Sequence, residues 1–133
     1  MLPSLRVVAD PAFRDVSVSA WSSMDMHECP PGPRLRAYLL ARRAQGYALV
    51  GLEQTARSRR LGAERLPQRA VLVLGAEREG IPADLLPLLD VCVEIPQLGT
   101  VRSFNVHVSG ALLAWEYTRQ RLEEAAAAAA AGV

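Results

Sequence analysis

Three apolar runs set the fold of this chain: Tyr47 to Leu52 (YALVGL), Ala70 to Leu74 (AVLVL) and Val91 to Ile95 (VCVEI). They are nearly continuous rather than strictly alternating, as expected of strands buried on both faces in a parallel sheet. Helical segments separate them. Pro33 suits the first turn of a helix running Arg34 to Gln45, with Leu35, Tyr38 and Leu39 on one face and Gly46 as its stop. Pro82 to Leu89 reads as a short helix. A long helix runs from about Phe104 to Glu124 and on into an alanine tract, Ala125 to Ala131. Leu5 to Ala9 (LRVVA) reads as a further short strand, ended by Asp10-Pro11. Phe13 to Trp21 reads as a short helix or irregular, and residues 53 to 69 as a basic connection. The pattern predicts an α/β fold, a parallel sheet covered by helices. Such sheets bind ligands at the carboxyl ends of their strands. Those ends are Gly51-Leu52, Leu74-Gly75 and Ile95-Pro96.

The chain has 133 residues, half of them hydrophobic, which fits one domain over 1–124 followed by an alanine-rich tail over 125–133. No apolar run is long enough for a membrane span, and the first residues lack the zones of a signal peptide. Cys29 and Cys92 do not form a disulfide framework, and Cys92 sits in a strand pattern where it packs. His27 and Cys29 lack a second ligand pair, so no metal is expected. These features point to the cytoplasm or nucleus rather than secretion. Net charge is only +1, but all 15 basic residues are arginines. Arg57, Arg59, Arg60, Arg65 and Arg69 crowd one stretch with a single acid, Glu64. Composition admits two readings: a solvated loop, or a patch whose guanidinium forks bind RNA phosphates.

Two constellations follow strands. Gly75-Ala76-Glu77-Arg78-Glu79-Gly80-Ile81-Pro82 follows the second run. It is neither a P-loop nor a dinucleotide fingerprint, because no Gly-Lys-Ser/Thr closes it and its glycine spacing differs. Its glycines permit close backbone approach to a ligand, so a side chain at Gly75 would fill ligand space. Glu77 is a polar anchor at the rim or simply part of a charged surface loop. Ile95 to Val106 runs from strand end through loop to helix start. Ser103 suits a helix N-cap, and Asn105 in the first turn can donate and accept hydrogen bonds. Capping alone would account for both.

Together these segments resemble a known pair of motifs. IPxxGxxxSxNVxxSGALLxWEY is similar to the third motif of the SpoU branch of the SPOUT RNA ribose 2′-O-methyltransferases, and GAEREGIP to the second. GLEQTA, DVCVEIP and VHVSGALLAWEYTRQ are most similar to the members that methylate a D-loop guanosine of tRNA. The resemblance implies a deep C-terminal trefoil knot, a homodimer through the last helix, and S-adenosyl-L-methionine as cofactor. Backbone groups around Leu52, Gly75, Ile95, Pro96 and Phe104 would hold that cofactor, and Glu77, Ser103 and Asn105 would shape the active site. Arg57, Arg59 and Arg60 are the candidate contacts to RNA. The last helix agrees with a dimer: Phe104, Val108, Ala111, Leu112 and Trp115 form one apolar stripe while Val106, Leu113 and Tyr117 lie off it, so a second surface is needed.

The chain departs from the family pattern at one point. The family's first motif, an Asn-x-Gly-x-x-Arg run on an N-terminal strand-helix unit, has no match here, and that unit is expected to be missing. The resemblance assigns its arginine to activating the ribose hydroxyl, and neither Arg6 nor Arg14 has the context to replace it. Two functions stay open: methyl transfer to a tRNA ribose, and a catalytically inactive cofactor- or RNA-binding remnant.

Overall fold

The computed structural model describes residues 1–100 and 104–132. They fall into two compact units, Met1–Leu40 and Ala41–Val133. In the first, Leu5–Ala9 is a 3-10 helix, not the strand its apolar pattern suggests. Local bonds decide this: the Ser4 hydroxyl accepts the Arg6 N–H at 3.3 Å and Asp10 N–H closes onto Val7 O at 3.0 Å. These bonds use backbone groups that a ladder would need. Leu2 instead pairs with the segment around Glu28, its N–H donating to His27 O and its carbonyl accepting from Cys29 N–H, both at 2.8 Å. Asp10 then caps α1 (Pro11–Ser17), accepting the Ala12 N–H at 2.8 Å. Val18, at φ 52°, breaks α1 from α2 (Ala20–Ser23).

Helix α3 (Pro33–Ala44) starts on Pro33. It ends in a Schellman turn: Gly46 N–H donates to Arg43 O at 2.9 Å, Tyr47 N–H to Arg42 O at 3.1 Å, and Gly46 takes φ +83°. The sheet of the second unit comprises β1 (Ala48–Leu52), β2 (Arg59–Arg60), β3 (Ala70–Leu74) and β4 (Val91–Glu94), in order β2-β4-β1-β3, with every pairing parallel. Strand β2 is the element the apolar pattern misses. Its two residues are charged and exposed, and Arg59 pairs with Val93 and Arg60 with Glu94. A short, charged edge of this kind discourages pairing with other chains. The expected helix over Pro82 to Leu89 shrinks to a 3-10 turn at Leu86–Leu88. Pro87 lacks the N–H that an α-helix would use there.

Alternation along β1 divides the core. Val50 faces Leu66, Val93 and Leu113, with Leu52, Leu72 and Tyr117 packed around them. On the other side a Cβ at Gly51 would overlap Leu89 and touch Ile81, and Leu49, Ile81, Leu85 and Leu88 are all buried. Helix α4 (Val106–Ala130) covers the first face and carries the alanine tract as regular helix. It turns Leu113, Glu116 and Gln120 inward. The apolar stripe read from sequence points outward, with Val108, Leu112 and Trp115 at 48%, 39% and 61% exposure.

Two of the inward residues are polar, and they are saturated. Gln120 Oε1 accepts the Leu66 N–H at 2.8 Å, while its Nε2 donates to Glu64 O at 2.9 Å and to Glu116 Oε1 at 2.7 Å. Arg119 forks onto Glu116 at 2.8 and 2.7 Å. That fork holds the Glu116 carboxyl below its ordinary value, against the opposing effect of burial, with Gln120 adding to the lowering. A carboxyl lowered on folding stabilises the fold above its unfolded pKa near 4.5 and loses that contribution as pH falls through the lower folded value. Glu116→Gln should therefore melt below the parent at pH 7, and the gap should narrow as pH drops below about 4.5, followed by circular dichroism. A gap independent of pH would mean that Glu116 stabilises by packing alone.

Candidate functional site

The carboxyl ends of β1, β3 and β4 open onto a cavity of about 580 Å³. Small-molecule sites occupy about 300–1,000 Å³. Leu52, Gly75, Ile95 and Phe104 all line it, as does Glu77. Pro96 does not line it; it lies exposed between two lining residues, Ile95 and Gln97. Ser103 lies outside the described residues, and the N-cap foreseen for it belongs to Asn105.

The segment after β3 is a closed turn. Ala76 N–H donates to Gly80 O at 3.0 Å and Gly80 N–H returns to Ala76 O at 2.9 Å, which leaves Glu77, Arg78 and Glu79 at the tip. Gly80 takes φ +68°. A Cβ on Gly75 would overlap the backbone of Gly80 and Ile81. Gly75 is therefore required by the turn itself, a different reason from the open ligand space expected from sequence.

The turn brings Glu77 to Asn105. Asn105 Oδ1 accepts the His107 N–H at 2.8 Å, capping α4. A backbone N–H can only donate, so the amide's orientation is settled. Asn105 Nδ2 then donates to Glu77 Oε1 at 2.9 Å. Two residues 28 positions apart in sequence thus share one hydrogen bond at the rim.

Sequence reasoning missed Glu53, the residue directly after β1. Its carboxyl accepts the Ile81 N–H at 2.8 Å and it lines the cavity. The signal was available, since an acid immediately after a buried strand is what drew attention to the Glu77 loop. Glu53, Glu77, Glu79 and Glu94 outnumber Arg78 in the lining, while Leu52, Leu74, Ile95 and Phe104 supply apolar wall. The arrangement suits a ligand with a flat apolar part and a cationic centre. Cys92, beside Thr55, has its thiol pushed up, chiefly by burial, with the Thr55 hydrogen bond opposing and Glu53 adding. That is the signature of a packing cysteine. Among the described residues no three His, Cys, Asp or Glu side chains gather as a metal site, and no helix is long and apolar enough to cross a membrane.

The arginine cluster divides. Arg59 pairs with Glu64 at 2.7 Å, Arg65 with Glu124 at 3.2 Å, and Arg69 stacks over Tyr47 at 4.6 Å. The Glu64 hydrogen bond and charge raise the Arg59 pKa further. Arg57 and Arg60 are exposed beside this pair.

The SpoU rRNA Methylase family matches residues 2–115. The tRNA (guanosine(18)-2'-O)-methyltransferase TARBP1 of Mus musculus is 55% identical over 90% of this chain, and the tRNA (guanosine(18)-2'-O)-methyltransferase of Saccharomyces cerevisiae is 35% identical over 89%. The chain spans 8% of the length of each. The crystal structure of the SpoU methyltransferase AviRb from Streptomyces viridochromogenes, in complex with the cofactor AdoMet, superimposes with a TM-score of 0.67 at 25% identity, over 84% of this chain and 42% of that one.

The turn geometry makes a sharp expectation. Gly75→Ala should open the Ala76–Gly80 bridge and destabilise the fold by roughly 1–3 kcal/mol, the usual cost of overpacking. Gly99→Ala, where an added Cβ meets nothing within 4 Å, is the matched control and should be neutral. Urea unfolding gives both numbers. A Gly75→Ala protein as stable as the control would return this glycine to the ligand-space role.

Proposed function

This chain belongs to the SpoU rRNA methylase family, and from that premise we propose that it carries the cofactor-binding side of an RNA ribose 2′-O-methyltransferase acting on a tRNA guanosine. The observation that carries the reading is the Glu77–Asn105 hydrogen bond on the rim of a cavity lined by three strand ends. The names of the two relatives support a tRNA guanosine as substrate, and the AdoMet-bound neighbour supports the cofactor.

The lining fits S-adenosyl-L-methionine. Leu52, Leu74, Ile95 and Phe104 match an adenine and its ribose, Glu79 and Glu94 match a sulfonium and an ammonium, and Arg78 matches a carboxylate. When bound, the cofactor supplies an electrophilic methyl group. Glu77 accepts a hydrogen bond from the ribose hydroxyl, Asn105 fixes the aim of Glu77, and Ser103 contributes a further hydroxyl. A ribose hydroxyl is a weak nucleophile and must shed its proton as the new bond to carbon forms. The group that takes the proton belongs, in this reading, to the family's Asn-x-Gly-x-x-Arg unit, which no segment of residues 1–133 matches. The outward stripe of α4, ending on Trp115, is the surface for a second copy, and α4 tucked through a loop would form the knot. The methyltransferase domain spans 1–124, and the cytoplasm or nucleus is its setting.

Arg57 and Arg60 contact RNA phosphates, with Arg59 contributing less because Glu64 already neutralises it. Each lost phosphate contact lowers the log–log salt slope of binding by about 0.7 to 0.9. Arg57→Ala and Arg60→Ala should each flatten the slope of tRNA binding by about that amount, and Arg59→Ala by less. Equal slopes in all three variants and the parent, measured by filter binding, would return the cluster to a solvated surface.

The central test is single-turnover transfer of labelled methyl to unmodified tRNA. This chain should bind the cofactor yet transfer methyl about 10²- to 10⁴-fold more slowly than a fusion carrying an Asn-x-Gly-x-x-Arg unit ahead of Met1. Equal rates would show that residues 1–133 suffice for the chemistry. Absence of cofactor binding would leave the remnant reading, an RNA-binding module of the same fold.

A further inference from the structure

We infer that Glu53 is a positioning residue for the cofactor cavity, holding the Gly75–Ile81 turn against the end of β1 and so setting the aim of Glu77. The inference rests on the cofactor site proposed above. Glu53 stands on a rigid base. Its own N–H donates to Val93 O at 3.0 Å, extending the ladder to β4, and its carbonyl accepts the Ser58 hydroxyl at 2.6 Å. From that base the side chain spans to the neighbouring loop. Oε2 accepts the Ile81 N–H at 2.8 Å, and Oε1 accepts the Gln54 N–H at 3.0 Å.

The fit at the far end is close. A Cβ on Gly80 would overlap Glu53 Oε2, so the absent side chain of Gly80 is what admits the carboxyl. Gly80 also closes the Ala76 bridge, with Glu77 at the tip between them. Carboxyl, Gly80, bridge and Glu77 therefore form one mechanical chain. Within it Glu53 is the tie from β1 to the turn after β3, and Asn105 is the tie from α4 to the same turn. Supporting bonds of this kind hold site residues to the narrow geometry that binding needs.

The role separates from simple charge attraction by side-chain chemistry. Gln keeps one oxygen acceptor at the same reach. The Gln54 N–H is exposed and water can serve it, whereas the Ile81 N–H is half-buried, so the Gln oxygen should go to Ile81. Asp keeps the charge but is one methylene shorter and falls short of Ile81.

The test measures two quantities on this chain and on Glu53→Gln, Glu53→Asp and Glu53→Ala: amide exchange at Ile81 by NMR, and affinity for S-adenosylhomocysteine by calorimetry. Ala and Asp should lose protection at Ile81 and weaken binding by roughly 10- to 100-fold, the span seen when supporting contacts are removed around bound metals. Gln should keep both properties close to the parent. Protection at Ile81 surviving in Glu53→Ala would overturn the proposal, as would a Gln variant that is protected yet binds as weakly as Ala. A parent chain that fails to bind S-adenosylhomocysteine would sink the cofactor reading instead. In that event Ile81 exchange in the Ala and Asp variants still decides whether Glu53 holds the turn.

Discussion

The segment between β2 and β3 must cross the sheet from one edge to the other, and it does so without a helix. Its backbone cannot satisfy its own hydrogen bonds, yet Leu66 within it is buried in the core. Gln120 resolves this from α4, giving an acceptor to the Leu66 N–H and a donor to the Glu64 carbonyl. Arg121 Nη2 donates to Leu66 O at 3.0 Å and the Tyr117 hydroxyl donates to Gln68 O. One face of one helix thus supplies what a crossover helix would otherwise have provided. An unsatisfied buried N–H costs about 1–3 kcal/mol, a large fraction of a domain's net stability.

The same helix reaches the rim. Asn105 caps α4 and holds Glu77, while Gln120 anchors the helix fifteen residues on, roughly 22 Å away at 1.5 Å per residue. A stiff rod held partway along by a hydrogen-bonded polar cluster carries its cap to a defined position. Core and site are in this sense one problem. The carboxyl of Glu116, lowered by Arg119, belongs to the anchor and not to the chemistry.

The rim brings together two locally closed turns and the capped start of α4. Ser58 stitches the turn after β1, accepting the Thr55 N–H at 2.9 Å and donating to Glu53 O. The Ala76–Gly80 bridge closes the turn after β3, and Asn105 caps α4. Cross-ties between turns, from Glu53 and from Asn105, then fix their spacing. Acidic side chains concentrate where these turns meet, which favours a cationic ligand over an anionic one.

Periodicity and punctuation in the sequence determined much of this protein. Three apolar runs became β1, β3 and β4 in parallel, Pro33 and Gly46 bounded α3, and the Gly-rich segment after β3 came to line the cavity at the strand ends. These features are written locally, because burial on both faces demands continuous apolar residues and turns demand glycine or proline. Other features were decided only in three dimensions. Leu5–Ala9 has strand-like residues but coils, since Ser4 and Asp10 satisfy it locally. Arg59–Arg60 has no apolar signal and becomes a strand because β4 offers an edge. The helix face that turns inward is the one bearing Glu116 and Gln120, because the crossing segment needs hydrogen bonds more than it needs another apolar stripe. Glu53 is legible as an acid directly after a buried strand, but its partner is not, since a bond to Ile81 across 28 residues leaves no trace in the spacing of either segment.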